Sequence, residues 1–153
     1  MAEQLTAGLW RLEVPLAGSP LKNLNSYLIA GEESLLIDTG FCRADCLAAL
    51  ERELAQTGVD REKLDIFCTH LHSDHVGLAP ELICPVRRIF ISGIDGARLP
   101  EYGEEAVWEA MYREYVENGF SWAEIDQLRR SNPAQTEAPR PCGQYVRLER
   151  RIR

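Results

Sequence analysis

All three histidines of the chain, His70, His72 and His75, fall within six residues, with Asp74 among them, in the stretch Cys68–Gly77, CTHLHSDHVG. The apolar run Leu64 to Cys68 leads into it and reads as a buried strand. The donors therefore follow a strand end, where the strand is rigid and the loop can aim side chains. His70 and His72 lie two apart, so in an extended segment they point to the same side. Asp74 and His75 follow a tight turn and can face a second ion. Imidazole nitrogen with carboxylate oxygen suits Zn²⁺, as one or two ions, with Fe or Mn as alternatives. Burying such a group without a cation would be costly, so metal binding is expected over a solvated histidine-rich loop.

The surroundings alternate between strand and helix, which predicts an α/β architecture. Leu9 to Val14, Tyr27 to Ala30 and Leu35 to Ile37 read as short strands, the last two joined by the turn GEES. DTGF, Asp38 to Phe41, ends the third. From Arg43 to Thr57, Leu47, Leu50 and Leu54 recur at helical spacing and Gly58 stops the helix. Val76 to Ile83 is expected as a short helix and Arg88 to Ile91 as a strand.

Beyond these, Glu104 to Asn118 reads as a helix with Val107, Met111 and Tyr115 on one face. Ser121 and Glu124 form a reciprocal cap for the next helix, with Phe120 and Ile125 spaced as a staple. Together these predict a helical insertion over residues 100–131. Its aromatics, Trp108, Tyr112, Tyr115 and Trp122, are expected to pack helix on helix, the alternative being a lid over a substrate pocket. Ser131 to Gly143, with Pro133, Pro139 and Pro141, reads as a loop. Val146, Leu148 and Ile152 alternate as in a final strand.

At 153 residues one domain is expected, and the net charge of −7 weighs against a nucleic-acid partner. Arg147, Arg150, Arg151 and Arg153 read as a solvated strand face. The five cysteines, Cys42, Cys46, Cys68, Cys84 and Cys142, contain no C-x-x-C pair, and the N-terminus has no signal-peptide pattern. Free thiols in a reducing cytoplasm are expected. No apolar run approaches the ~18 residues of a membrane span.

The stretch THLHSDHVG matches H-x-H-x-D-H, the signature of the metallo-β-lactamase superfamily. NSYLI followed by LLIDTG resembles that family's opening strands, and the resemblance covers about residues 8 to 92. It implies that His70 and His72 ligate a first metal. Asp74 and His75 would ligate a second, or Asp74 would serve as base where one metal is bound. Asp38 would steady the metal loop from behind, while Cys68 reads as a buried strand residue. The implied reaction is metal-assisted hydrolysis of an ester, thioester, lactone, β-lactam or phosphodiester, using a water whose pKa the ion lowers from ~15.7 to ~7. The implied fold is a four-layer αββα sandwich.

Family members complete the site with downstream histidines and a bridging aspartate. None stands here, since the later aspartates Asp95 and Asp126 lack the expected context. The chain is thus expected to be the N-terminal half of such a sandwich: one mixed sheet, its flanking helices and the helical insertion, in a single truncated domain. An uncovered apolar sheet face should then drive homo-oligomerisation or be capped by another chain. The expected chemistry is a small-molecule metal hydrolase, impaired in this chain alone. The alternatives are a non-catalytic metal-binding or dimerisation module, or an iron-dependent redox relative.

Overall fold

The computed structural model describes residues 1–82, 88–137 and 145–149. The expected positions Ile83, Pro139, Pro141 and Ile152, with Cys84 and Cys142, lie outside them. Seven strands form one mixed sheet in chain order: β1 Glu3–Thr6, β2 Leu9–Pro15, β3 Asn23–Ile29, β4 Ser34–Ile37, β5 Leu64–Phe67, β6 Ile89–Ser92 and β7 Tyr145–Leu148. The first four pair antiparallel, through short connections. The pairs β4–β5, β5–β6 and β6–β7 are parallel, which requires crossovers long enough to carry helices. The strand β1 is a short exposed edge with one apolar residue, Leu5, so it has no hydrophobic alternation to announce it.

The first crossover carries α1, Ala44–Thr57, which ends at Gly58 in the left-handed region with φ 71°. Its buried Cys46, Leu50 and Leu54 join Leu12, Val14, Leu28, Leu36, Ile66, Ile89 and Ile91 in one core cluster on one face of the sheet. The other face carries a cross-strand row. Tyr27 pairs with Ile37, Ile37 with Phe67, Phe67 with Phe90, and Phe90 with Val146. None of these five side chains is fully buried.

After β5 the chain makes two one-turn helices, α2 Ser73–Val76 and α3 Ala79–Leu82, where one helix was expected from Val76 onward. The helix α4, Gly93–Arg98, was not anticipated, because two glycines and no apolar stripe mark its six residues. A 3₁₀ turn at Leu99–Gly103 leads to α5, Glu105–Glu117, then α6, Trp122–Ser131, and α7, Pro133–Thr136. The expectation of an unbroken loop from Ser131 misread Pro133, which occupies the first position of α7, where its fixed φ suits a helix start.

The capping box of α6 is formed: Glu124 N–H donates to Ser121 Oγ, and Ser121 N–H donates to Glu124 Oε2 at 2.8 Å. Ile125 is buried, while the Phe120 ring lies 5.5 Å from that of Tyr115. Ser121→Ala is expected to lower stability by about 1 kcal/mol, read as a shift of the urea midpoint with unchanged slope. Among the described residues no helix is long and apolar enough to cross a membrane.

Candidate metal centre

The histidine loop is held from beneath by the loop after β4. Asp38 adopts φ 60°, a conformation that aspartate reaches more readily than most residues. The Ser26 hydroxyl pins this bend, meeting the carbonyl oxygens of Ile37 at 3.0 Å and Asp38 at 2.8 Å. The turned Asp38 carboxylate accepts the Thr69 N–H at 2.8 Å and the Thr69 hydroxyl at 2.8 Å. It also pairs with His75 Nδ1 at 2.8 Å. A carboxylate only accepts, so the proton of this last bond sits on Nδ1, leaving the Nε2 lone pair of a neutral ring free to accept or to ligate.

Backbone bonds stitch the two loops together. Thr39 N–H and its hydroxyl both donate to the His75 carbonyl at 2.9 Å, and Leu78 N–H donates to Gly40 O at 3.1 Å. Gly40 has φ 106°, and Gly77 sits where the loops touch. The sequence reading assigned no role to Ser26, Thr39, Gly40 or Gly77; only the glycines in DTG and DHVG hinted at close approach.

The three imidazoles converge. The His70 and His72 ring centroids lie 4.6 Å apart, with His70 Nε2 3.0 Å from His72 Nδ1. The His70 and His75 centroids lie 4.1 Å apart. Asp74 Oδ2 is 3.6 Å from His75 Nε2. All four predicted ligands and Asp38 therefore occupy one patch, half-buried except for exposed His72 and buried Asp38. Their donor atoms face one another: among the described residues no three His, Cys, Asp or Glu side chains form a ready-made cage. The donor set itself, imidazole nitrogens backed by a carboxylate that fixes a tautomer, fits a borderline cation such as Zn²⁺.

Electrostatics separate the rings. Burial, then the charges of His75 and His72, hold the His70 pKa below its ordinary value. Burial opposes protonation of His75 too, but its hydrogen bond to Asp38, with the charges of Asp38 and Asp74, leaves its pKa raised. Cys68 is fully buried in the core cluster, and burial, then the charge of Asp38, pushes its thiol far above the usual range.

A cleft of about 540 Å³ opens beside His70 and His72. Val107, Trp108, Met111 and Tyr115 of α5 line it, together with the charged Asp95, Arg98 and Glu101. The aromatics expected to pack helix on helix thus divide. Tyr112 is buried, Trp108 and Tyr115 line the cleft, and Trp122 stands 54% exposed.

A family profile for the metallo-beta-lactamase superfamily matches residues 20–84, a segment that contains Asp38 and the whole histidine loop. A metallo-beta-lactamase family protein of Thermus thermophilus superposes with a TM-score of 0.71 at 29% identity, over 94% of this chain and 47% of that one. The chain matches the metallo-β-lactamase superfamily, by profile over residues 20–84 and by fold over nearly its whole length. Its mixed seven-stranded sheet with flanking helices is the α/β arrangement of its superfamily neighbours. One of these is a beta-lactamase domain protein of Burkholderia ambifaria, similar in fold with a TM-score of 0.71 at 23% identity, over 97% of this chain and 44% of that one.

Among curated relatives, a lactamase-like protein of Aspergillus niger is 37% identical over 86 residues, covering 53% of this chain and 26% of its own length. Ribonuclease BN of Escherichia coli is 30% identical over 141 residues, covering 84% of this chain and 46% of its own length. The chain thus spans less than half the length of either relative.

Proposed function

We propose that this chain carries the first half of the active site of a metal-dependent hydrolase acting on an ester, thioester, lactone, β-lactam or phosphodiester. The observation that carries the reading is the convergence of His70, His72 and His75 onto one patch, over a carboxylate that orients His75. His70 and His72 would hold a first ion. Asp74 and His75 would hold a second, or Asp74 would accept a proton where one ion is bound. A bound Zn²⁺ supplies Lewis-acid chemistry, acidifying a water and polarising a carbonyl or phosphoryl oxygen; Fe or Mn would suit the same donors.

Around that ion the chain's own groups position and tune. Asp38 holds the His75 proton on Nδ1 and ties down the Thr69 backbone. The lowered pKa of His70 keeps its ring neutral, the form that ligates. The three histidines are the chain's whole supply, so carboxylates, thiols or solvent would fill the remaining coordination positions. Turnover by the chain alone is therefore expected to be weak.

The test is hydrolysis of a generic thioester, lactone and phosphodiester by the Zn²⁺-supplemented chain. Slow turnover of at least one, reduced by about 10²-fold or more in His72→Ala, supports the reading. Full metal loading without turnover of any of the three contradicts it.

A second reading, a non-catalytic module that dimerises, is favoured by the apolar row Tyr27, Ile37, Phe67, Phe90 and Val146 on the open sheet face. Sedimentation that stays monomeric at high concentration removes it.

A further inference from the structure

The α5 wall of the cleft is not used by the proposed metal centre, and its construction points to a ligand. This helix has two working faces. On one, Tyr112 is buried to 1% exposure, its hydroxyl donates to Gln135 Oε1 at 2.7 Å, and the Arg129 guanidinium lies 5.0 Å from its ring centroid. Arg129 also pairs with Glu109 at 2.6 Å. That face docks α5 onto α6 and α7. The other face carries Val107, Met111 and Tyr115 at four-residue intervals, a single helical stripe, with Trp108 beside it. This stripe lines the same cleft as His70 and His72, and Val107 and Tyr115 each keep 37% exposure.

Tyr112 anchors the helix from its other face; within the stripe Tyr115 also packs its ring 5.5 Å from that of Phe120, while Val107 and Tyr115 stay partly exposed. The cleft's 540 Å³ falls within the usual range of small-molecule sites, roughly 300–1,000 Å³. Its charged rim is net negative by one: Asp95 and Glu101 against Arg98, whose Nε lies 3.9 Å from Glu101. A nucleic-acid strand calls for a basic track, and this rim is the reverse.

We propose that the α5 stripe binds the apolar part of a small uncharged substrate, an acyl chain or aryl ring, with its ester-type carbonyl beside His70 and His72. The proposal deepens the hydrolase reading and rests on it for the chemistry, while the binding itself needs no metal. Specificity then comes from Val107, Trp108, Met111 and Tyr115, and chain length on the acyl side is what the protein measures.

The experiment titrates the metal-free chain with butanamide, hexanamide and octanamide, following saturation transfer from protein to ligand by NMR. Affinity should rise about two- to fourfold per added methylene. That gradient should flatten in Trp108→Ala and in Met111→Gln, each checked for a retained fold by circular dichroism, and persist in Trp122→Ala. A flat series in the parent chain overturns the proposal, as does tighter binding of a short oligoribonucleotide than of octanamide. The gradient without ester hydrolysis by the Zn²⁺-loaded chain supports the wall and removes the hydrolase reading. Hydrolysis without a gradient does the opposite.

Discussion

Gly77→Ala is expected to destabilise the chain by about 3 kcal/mol or more, enough to lose most of a marginal fold. A Cβ at Gly77 would lie 2.5 Å from Ser73 O, 2.6 Å from Cys42 N and 2.6 Å from Gly40 O. All three are backbone atoms, so no side chain can swing aside. The backbone at Gly77 is ordinary right-handed helix, φ −55° and ψ −45°; alanine would suit the conformation and fail only on space. The contrast is Gly58→Ala. Its φ of 71° disfavours alanine, but nothing stands within 4 Å of the new methyl, and about 1–2 kcal/mol covers the left-handed conformation. Urea midpoints of the two variants separate close approach from backbone preference. A Gly77→Ala chain within about 1 kcal/mol of the parent would mean that the Asp38–Cys42 and Ser73–Leu78 segments are not stitched as described.

Asp38→Ala should be nearly as damaging, and more specific in its consequences. Asp38 is 6% exposed, and its carboxylate serves the Thr69 N–H, the Thr69 hydroxyl and His75 Nδ1 at once. Hydrogen bonds to a charged group contribute about 1.5–3 kcal/mol each, though not additively. Alanine at φ 60° adds about 1 kcal/mol of strain. A total loss of about 3 kcal/mol is expected in thermal or urea unfolding. Asp38→Asn tolerates the same φ and keeps one acceptor oxygen, so it should recover much of the stability. It should not recover the His75 tautomer, because a neutral amide oxygen holds the Nδ1 proton less firmly. NMR of the His75 ring nitrogens distinguishes the two variants. Equal stability of parent and Asp38→Ala would show that the bend is held by Ser26 alone.

The parts of this architecture visible in the sequence are those written in local pattern. Leu47, Leu50 and Leu54 place α1, and the Ser121–Glu124 pair marks the start of α6. The short apolar runs give five of the seven strands, and Val146 with Leu148 gives the last. The edge strand β1 stayed hidden because it buries nothing, and α4 because its glycines carry no stripe. Pro133 was read as a breaker although a helix start accepts it.

The histidine cluster was legible because its donors are neighbours in sequence. What supports it was not. Ser26 holds the Asp38 bend from β3, and Thr39 and Gly40 reach the histidine loop from beyond β4, across more than thirty residues of chain in the case of Thr39 and His75. The role of Asp38 came only through resemblance. The cleft depended on tertiary placement too. Sequence put Val107, Met111 and Tyr115 on one face of a helix but could not say that this face would meet His70 and His72.

The convergence of the three imidazoles on a common cation is tested most directly by titrating Zn²⁺ into the chelator-stripped chain and measuring bound metal after dialysis. Retention of about one ion per chain is expected, abolished in a His70→Ala, His72→Ala double variant and kept in a Cys46→Ser control. Metal retained equally by the double variant, or none retained by the folded parent, would contradict the account.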